Sequence, residues 1–199
     1  MDLLIASNNE NKIREFKQIL GNRFENVYSL KDCGINIDIE ENGETFLENA
    51  IIKVLALRGR GFAVLADDSG LCVDALGGEP GVKSARYNSV DGHNCSDKSN
   101  REKLLQKMEK ITVRSACFIS ALALLCDSNL YTAVGMAKGN ILYKQEGESG
   151  FGYDCIFYSN ELKKSFGQAT EEEKNSVSHR KIATEKLIKN FDNNVCENV

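Results

Sequence analysis

The chain has 199 residues, 42% of them hydrophobic and 27% charged, with a formal net charge of −4 at pH 7, and we predict a single domain over residues 1–199 with a sizeable core. The weakly acidic balance speaks against a DNA or RNA partner, because nucleic-acid surfaces carry an excess of basic residues. No stretch approaches the ~20 apolar residues of a membrane span and no basic leader opens the chain, so we expect a cytoplasmic protein without a membrane partner.

The first predicted elements are a strand, a polar loop and a helix. Residues 3–6 form a short apolar strand, and residues 7–9 end it before a helix whose apolar residues recur at helical spacing. A second, amphipathic helix covers residues 44–58, where apolar side chains follow the i, i+3, i+4, i+7 pattern. Residues 62–66 then form a strand that leads into two adjacent aspartates.

The middle of the chain predicts a helix followed by a hairpin. The helix covers roughly residues 97–108. Residues 114–126 and 131–137 are rich in small, aromatic and β-branched side chains, which favours two long strands. These strands are predicted to join near residues 127–129.

The last third of the chain adds a short strand and a final helix. Residues 156–158 form the strand, and Thr170 with Glu173 fits a capping box. The final helix covers about residues 177–190. Helices and strands are interspersed along the whole chain, so we predict an α/β fold with a mixed sheet.

The sequence SNNENK lies at the first strand-to-helix junction. Free backbone amides and the positive end of the helix attract an anion there, and Lys12 adds a point charge suited to phosphate. The alternative is an ordinary helix cap, which Ser and Asn commonly supply. The sequence contains neither a Walker pattern nor GxGxxG, which excludes those two nucleotide-binding folds.

Acidic residues cluster in two segments, while other metal ligands are scarce. The two histidines and seven cysteines, no two cysteines being closer than nine residues, form no zinc pattern. We predict the cysteines to be reduced structural thiols. Any metal would be held by carboxylate oxygens, and such ligands favour magnesium. The candidates are Glu40, Glu41, Glu44, Glu48, Asp67 and Asp68.

Asp67 and Asp68 are neighbours at the end of a predicted strand. In an extended chain their side chains point to opposite faces. One carboxylate can then face a metal and a water while the other anchors the loop, and Ser69 and Gly70 form the turn that exposes the site. The alternative is a simple Asx turn leading into the same two residues.

Two further segments suit a nucleotide. SGFGYDCIF combines glycines, which let the backbone approach a ligand, with Phe151 and Tyr153 as stacking surfaces for a base, although an aromatic turn has the same pattern. KNSVSHRK concentrates cations near the final helix, although such runs usually form a solvated face. Together with the phosphate-type loop and the acidic pair, these segments are the parts of a nucleoside triphosphate site.

A family resemblance is carried by five motifs in a fixed order. Most of the chain is covered by SNNENK, EENGETFLENAIIK, ADDSGLCVDALGGEPGVKSARY, GFGYDCIF and EEEKNSVSHR. The sequence closely resembles the inosine triphosphate pyrophosphatase family, also called the Ham1/RdgB family of non-canonical purine NTP pyrophosphatases. The resemblance implies a homodimeric α/β protein with a long twisted mixed sheet, flanking helices and two lobes around a central cleft. It also implies hydrolysis of ITP, dITP and XTP to the monophosphate and pyrophosphate with Mg²⁺.

The resemblance also implies roles for the matching residues. Asp68 matches the proton acceptor and, with Glu40, looks like the metal site, although alignment through the loop leaves Glu41 open as the second ligand. Lys53 resembles an additional phosphate-facing cation. The implied substrate contacts are Ser7, Asn8, Asn9, Glu10, Asn11, Lys12, Lys53, Ser69, Phe151, Gly152, Tyr153, Asp154, Lys174, His179 and Arg180.

One position departs from the family pattern. Proline usually follows FGYD, whereas this chain has Cys155, which we expect to leave the loop less rigid without removing a contact group. Two other functions stay open, namely a pyrophosphatase for a different modified nucleotide and a nucleotide-binding sensor without catalysis. A sensor needs no acidic pair, so Glu40 and Asp68 argue against it.

Overall fold

The structure is a computed structural model that describes residues 1–21 and 23–196. Within this part the chain divides into two compact units. Unit 1 contains residues 1–68, 120–135 and the stretch from residue 180, and unit 2 contains residues 69–119 and 136–179. A single domain over residues 1–199 stays a prediction.

The described residues form one mixed sheet, which confirms the predicted α/β fold. Its strands are β1 (Leu3–Ile5), β2 (Val27–Ser29), β3 (Ala63–Val73), β4 (Ser115–Cys126), β5 (Asn129–Ile141), β6 (Phe157–Ser159) and β7 (Lys164–Ser165). Their order in the sheet is β2-β1-β3-β4-β5-β6-β7. Strand β1 is parallel to β2 and β3, whereas β6 is antiparallel to β5 and β7.

Helices are interspersed with these strands along the chain. They are α1 (Glu10–Leu20), α2 (Phe46–Ala56), α3 (Asp97–Lys107), α4 (Glu171–Val177) and α5 (His179–Cys196). The predicted capping box of Thr170 and Glu173 is present at the start of α4. The predicted final helix of residues 177–190 is α5, which begins two residues later at His179 because the extended Ser178 separates it from α4. None of the described helices is both long and apolar enough to cross a membrane.

Strand β3 is longer than predicted and changes the setting of the aspartate pair. The prediction ended this strand at residue 66 and placed residues 69–70 in a turn, but β3 continues to Val73. It continues because its last apolar residues are buried in the core of unit 2, while its polar residues find side-chain partners. Asp67 and Asp68 therefore lie in the middle of a strand, and the turn interpretation is wrong.

The strands of unit 1 are buried on both faces. Residues such as Leu65 of β3 pack with side chains of α1 and α5. The alternate residues, such as Val64, pack with side chains of α2. Because side chains alternate along a strand, Asp67 lies on the α1 and α5 face and Asp68 on the α2 face.

Unit 2 has an aromatic core. Phe118, Phe157 and Phe166 contact one another with ring centroids 4.7–6.0 Å apart. Burial of each such ring contributes roughly 1.5–3 kcal/mol. Tyr153 and Ile156 belong to the same cluster, so this core supports the glycine and aromatic loop that precedes β6.

Candidate active site

Asp67 is the centre of a closed ion network in unit 1. Its carboxylate lies 2.7 Å from Lys12 Nζ of α1 and 3.2 Å from the Arg180 guanidinium of α5. Ser120 Oγ of β4 donates to the other carboxylate oxygen at 2.6 Å. Arg180 also pairs with Glu15 of α1. Two carboxylates thus balance two cations in a site that is almost wholly buried.

The charges of this network support one another. Burial acts to raise the pKa of Asp67, but Arg180 and Lys12 outweigh it and hold that pKa well below its ordinary value. Burial acts to lower the pKa of Arg180, whereas Asp67 and Glu15 raise it above its ordinary value. Asp67 and Arg180 therefore stay ionised at neutral pH. Removing one member would leave a buried charge uncompensated, so the network fixes the geometry around it.

Asp68 lies on the other face of β3 and has different neighbours. Asn49 Nδ2 of α2 donates to Asp68 Oδ2 at 3.0 Å, and Lys53 Nζ lies 3.7 Å from Oδ1. Lys53 also donates to the backbone oxygen of Asp67 at 3.2 Å. The pKa of Asp68 is raised, because burial outweighs the opposing charges of Lys53 and Lys12. Asp68 is therefore the more basic carboxylate of the pair.

Asn49 also positions the loop before α2. Its side-chain oxygen accepts the Gly43 N–H at 2.8 Å, while its side-chain nitrogen donates to Asp68. A Cβ at Gly43 would lie 2.7 Å from Asn49 Oδ1, so this close approach requires glycine. The sequence offered no signal for this role, because Asn49 resembles any polar residue of an amphipathic helix.

Glu41 and Asp68 are the residues that could hold a divalent metal. Their carboxylates lie 2.8 Å and 3.7 Å from the same ammonium, Lys53 Nζ. Glu40, the ligand implied by the family pattern, is exposed, since consecutive residues of an extended loop point to opposite sides. Among the described residues no three acidic, histidine or cysteine side chains form a metal cage. Two carboxylates still suit Mg²⁺, which commonly completes its shell with substrate phosphates and water.

The SNNENK segment is a helix cap that also places Lys12. Asn9 is the N-cap of α1, and its side chain accepts from the backbone of Asn11 and Lys12 at 3.0 and 3.2 Å, so the capping interpretation is confirmed. Ser7 Oγ accepts the Asn9 N–H at 3.1 Å. Anion binding at this segment stays a prediction. A cavity of about 610 Å³ in unit 1 is lined in part by Ser7, Asn8 and Glu10.

In unit 2, Asp154 organises the glycine and aromatic loop. Its buried carboxylate accepts the Phe151 N–H at 2.8 Å and pairs with Lys174 Nζ at 2.7 Å. Lys174 Nζ also lies 4.5 Å from the centre of the Phe151 ring. Gly150 has φ +78°, and a Cβ there would lie 2.1 Å from Asp154 Oδ2, so the turn requires glycine. Three of the predicted contact residues, Phe151, Asp154 and Lys174, are thus brought together.

Helix α3 holds the same loop through Gly152. Asp97 Oδ2 accepts the Gly152 N–H at 2.6 Å, and Arg101 Nη1 donates to the Gly152 carbonyl at 2.7 Å. The two side chains are one helical turn apart and share a face of α3. Tyr153 is buried, and its hydroxyl donates to the Ser84 carbonyl at 2.8 Å. The i, i+4 spacing was the only sequence signal for Asp97 and Arg101, and many exposed helices share it.

The implied contacts His179, Arg180 and Ser69 are buried or half-buried. His179 is buried, and its ring stacks on Phe118 with centroids 4.9 Å apart. Arg180 belongs to the buried ion network described above. Ser69 is half-buried on β3, and Cys155 is buried in a 3-10 turn after the glycine and aromatic loop. Whether these side chains touch a substrate stays a prediction.

The chain is similar to proteins of one family over most of its length. Residues 3–190 match the sequence model of the Ham1 family. A dITP/XTP pyrophosphatase of Clostridium tetani is 44% identical over 190 residues, covering 93% of this chain and 93% of its own. Another, of Clostridium perfringens, is 43% identical over 198 residues, covering 94% and 96%. The solved structure of the Staphylococcus aureus Ham1 protein is 40% identical, covers 98% of this chain and 100% of its own, and has a TM-score of 0.84.

Proposed function

The chain belongs to the Ham1 family, and from this premise we propose that it hydrolyses ITP, dITP and XTP to the monophosphate and pyrophosphate. The family membership confirms the resemblance that the five motifs carry. The names of the Clostridium relatives support this substrate class. The observation that carries the proposal is the division of the aspartate pair, in which Asp67 anchors an ion network while Asp68 lies beside Glu41 and Lys53.

A magnesium ion is part of the proposal. We place it on Glu41 and Asp68, because both carboxylates already face one cation and their hard oxygens suit Mg²⁺. We assign the metal to Glu41 in place of Glu40, because the side chain of Glu40 is exposed. When bound, the ion neutralises negative charge on the triphosphate. Lys53 lies between the two carboxylates and adds positive charge at the same place.

Asp68 acts as the proton acceptor in this proposal. Its carboxylate takes a proton from the water that attacks the α-phosphorus, and pyrophosphate leaves. The raised pKa of Asp68, which burial causes, suits this role. The hydrogen bond from Asn49 holds the carboxylate in one orientation.

Lys12 and Arg180 contribute in different ways. Lys12 is partly exposed and adds a positive charge for the phosphates beside the start of α1. Arg180 is buried and pairs with Glu15 and Asp67, so we propose that it positions Asp67. Asp67 in turn fixes the backbone of β3 from which Asp68 projects.

The loop of unit 2 supplies base recognition. Phe151 offers a stacking surface for the base, while the N–H groups of Phe151 and Gly152 already donate to Asp154 and Asp97 and hold the loop in shape. A 6-oxo purine presents an acceptor, whereas adenine presents an amino donor and leaves the donor that would meet the 6-oxo group unpaired. Such a mismatch in a buried site is worth about 10⁴ in discrimination.

Incubation with Mg²⁺ and a panel of ITP, dITP, XTP, GTP, ATP and dUTP tests the proposal, with products identified by phosphorus NMR. We expect monophosphate and pyrophosphate from the first three nucleotides. Orthophosphate with a diphosphate product would contradict attack at the α-phosphorus. Cleavage of dUTP alone would support a pyrophosphatase for another modified nucleotide, and binding of ITP without cleavage would support a sensor.

A cytoplasmic homodimer completes the proposal. The family resemblance supports the dimer, and light scattering tests it. We expect a mass of twice the 22.1 kDa of one chain. A mass equal to that of one chain at micromolar concentration would contradict the dimer and leave the proposed hydrolysis untouched.

A further inference from the structure

Two half-buried cysteines lie on neighbouring strands of unit 2, away from the aspartate pair. Cys72 is on β3 and Cys117 is on β4, and these strands are adjacent in the sheet. The residues on either side of each cysteine are buried in the core of unit 2. Because side chains alternate along a strand, both thiols lie on the face opposite that core.

Side-chain hydrogen bonds place the two cysteines near each other. Asp67 accepts from Ser120, and Asp74, just past the end of β3, accepts from Ser115. Residue numbers rise along β3 as those of their β4 partners fall, so the two strands are antiparallel. Cys72 lies two residues before Asp74 and Cys117 lies two residues after Ser115, so the Asp74–Ser115 bond places the two thiols beside each other on one face of the sheet. The effect of each thiol on the pKa of the other agrees with this placement.

The surroundings make the two thiols unequal. The hydrogen bond from Cys72 lowers the pKa of Cys117 to about 7, and Lys138 on β5 acts in the same direction, while burial and Asp74 oppose them. The pKa of Cys72 is raised, first by its hydrogen bond to Cys117 and then by burial. Cys117 is therefore the thiol of the pair that ionises near neutral pH, and Cys72 keeps its proton. A low-pKa, accessible thiol beside a second thiol is the arrangement of an oxidisable pair.

We propose that Cys72 and Cys117 form a peroxide-oxidisable dithiol that closes to a disulfide. The Cys117 thiolate attacks one oxygen of hydrogen peroxide, the O–O bond breaks, and hydroxide leaves, which gives a sulfenic acid at Cys117. The Cys72 sulfur then attacks the Cys117 sulfur, the S–O bond breaks, and water leaves with the Cys72 proton. Two thiols are oxidised and one peroxide is reduced to water. The site is independent of the proposed hydrolase function.

Mass spectrometry of the peroxide-treated full chain tests the proposal. We expect a loss of two hydrogen atoms, a Cys72–Cys117 linked peptide after non-reducing digestion, and reversal by dithiothreitol. In Cys72→Ser the second step cannot occur, so dimedone should label Cys117. Cys33→Ser and Cys95→Ser are matched controls, because these cysteines are also half-buried, and they should leave the linked peptide unchanged.

The rate of alkylation by iodoacetamide supplies a second measurement that does not depend on a disulfide. In the wild type, alkylation of Cys117 should rise with pH around a midpoint near 7. In Cys72→Ala that midpoint should move upward, because the side-chain donor that lowers the Cys117 pKa is gone. No linked peptide in the wild type, or a Cys117 that reacts no faster than Cys33 and Cys95 at neutral pH, would overturn the proposal.

Discussion

Asp67 and Asp68 are adjacent in sequence, yet their surroundings differ in almost every respect. Asp67 is balanced by Arg180 and Lys12 and has its pKa held low, although burial acts against it. Asp68 receives an amide hydrogen bond from Asn49 and faces one ammonium at longer range, and its pKa is raised. Strand β3 therefore carries a carboxylate that stays ionised on one face and a more basic carboxylate on the other.

The comparison teaches how a fold assigns different work to like residues. The alternation of β3 sends each carboxylate to a different layer of helices. Helices α1 and α5 place the cations of Lys12 and Arg180 beside Asp67. Removal of one of these buried charges would destabilise the protein. Helix α2 meets Asp68 with the Asn49 amide, which orients it, and with the Lys53 ammonium at longer range, and we connect this face with the proposed chemistry.

The largest expected effect is a loss of stability in Asp67→Asn. This change removes the buried carboxylate that pairs with both Lys12 and Arg180. We expect the free energy of unfolding to fall by about 3–5 kcal/mol, as for other broken buried ion networks. Urea denaturation followed by circular dichroism measures it. A loss below about 1 kcal/mol would mean that the network does not anchor the strand.

Glu41→Gln should act on turnover and leave stability nearly unchanged. It removes one of the two carboxylates that face Lys53. We expect kcat/KM for ITP with Mg²⁺ to fall by about 10², or roughly 2.7 kcal/mol. Glu40→Gln is the matched control because its side chain is exposed, and it should retain kcat/KM within about twofold. The reverse ranking of the two variants would return the metal to Glu40.

A smaller effect is expected for Arg101→Met, which tests the loop of unit 2. The change removes the hydrogen bond to the Gly152 carbonyl, a charged interaction worth about 1.5–3 kcal/mol at most. We expect KM for ITP to rise by about five- to tenfold with kcat little changed, and Arg101→Lys to recover part of the loss. Lys98→Met, on the exposed surface of the same helix, is the control. A fall in kcat alone would contradict a positioning role.

The fold was predictable wherever local patterns repeat. Helix α4 began at its predicted capping box, and the long strands β4 and β5 followed their apolar and β-branched residues. Strand β3 was predicted too short, because Asp67, Asp68, Ser69 and Gly70 together resemble a turn. The partners that keep those residues in a strand come from α1, α2 and α5, and Arg180 is 113 residues away from Asp67. A local pattern cannot report such distant compensation.

The candidate site was predictable in its chemistry and less so in its geometry. Motif order identified the two aspartates, Lys12, Lys53 and the glycine and aromatic loop. It could not choose between Glu40 and Glu41, because that choice depends on which way an extended loop turns each side chain. Glu15 resembles an ordinary helix-surface acid in the sequence, and only the fold buries it against Arg180.

The most direct test of the division between the aspartates measures stability and ITP turnover together in Asp67→Asn and Asp68→Asn. We predict that Asp68→Asn keeps the free energy of unfolding within about 1.5 kcal/mol of the wild type and loses about 10²–10⁴ in kcat. Asp67→Asn should show the opposite pattern, with a large loss of stability and a higher turnover per folded molecule than Asp68→Asn. Near-normal turnover in Asp68→Asn would contradict its role as the proton acceptor.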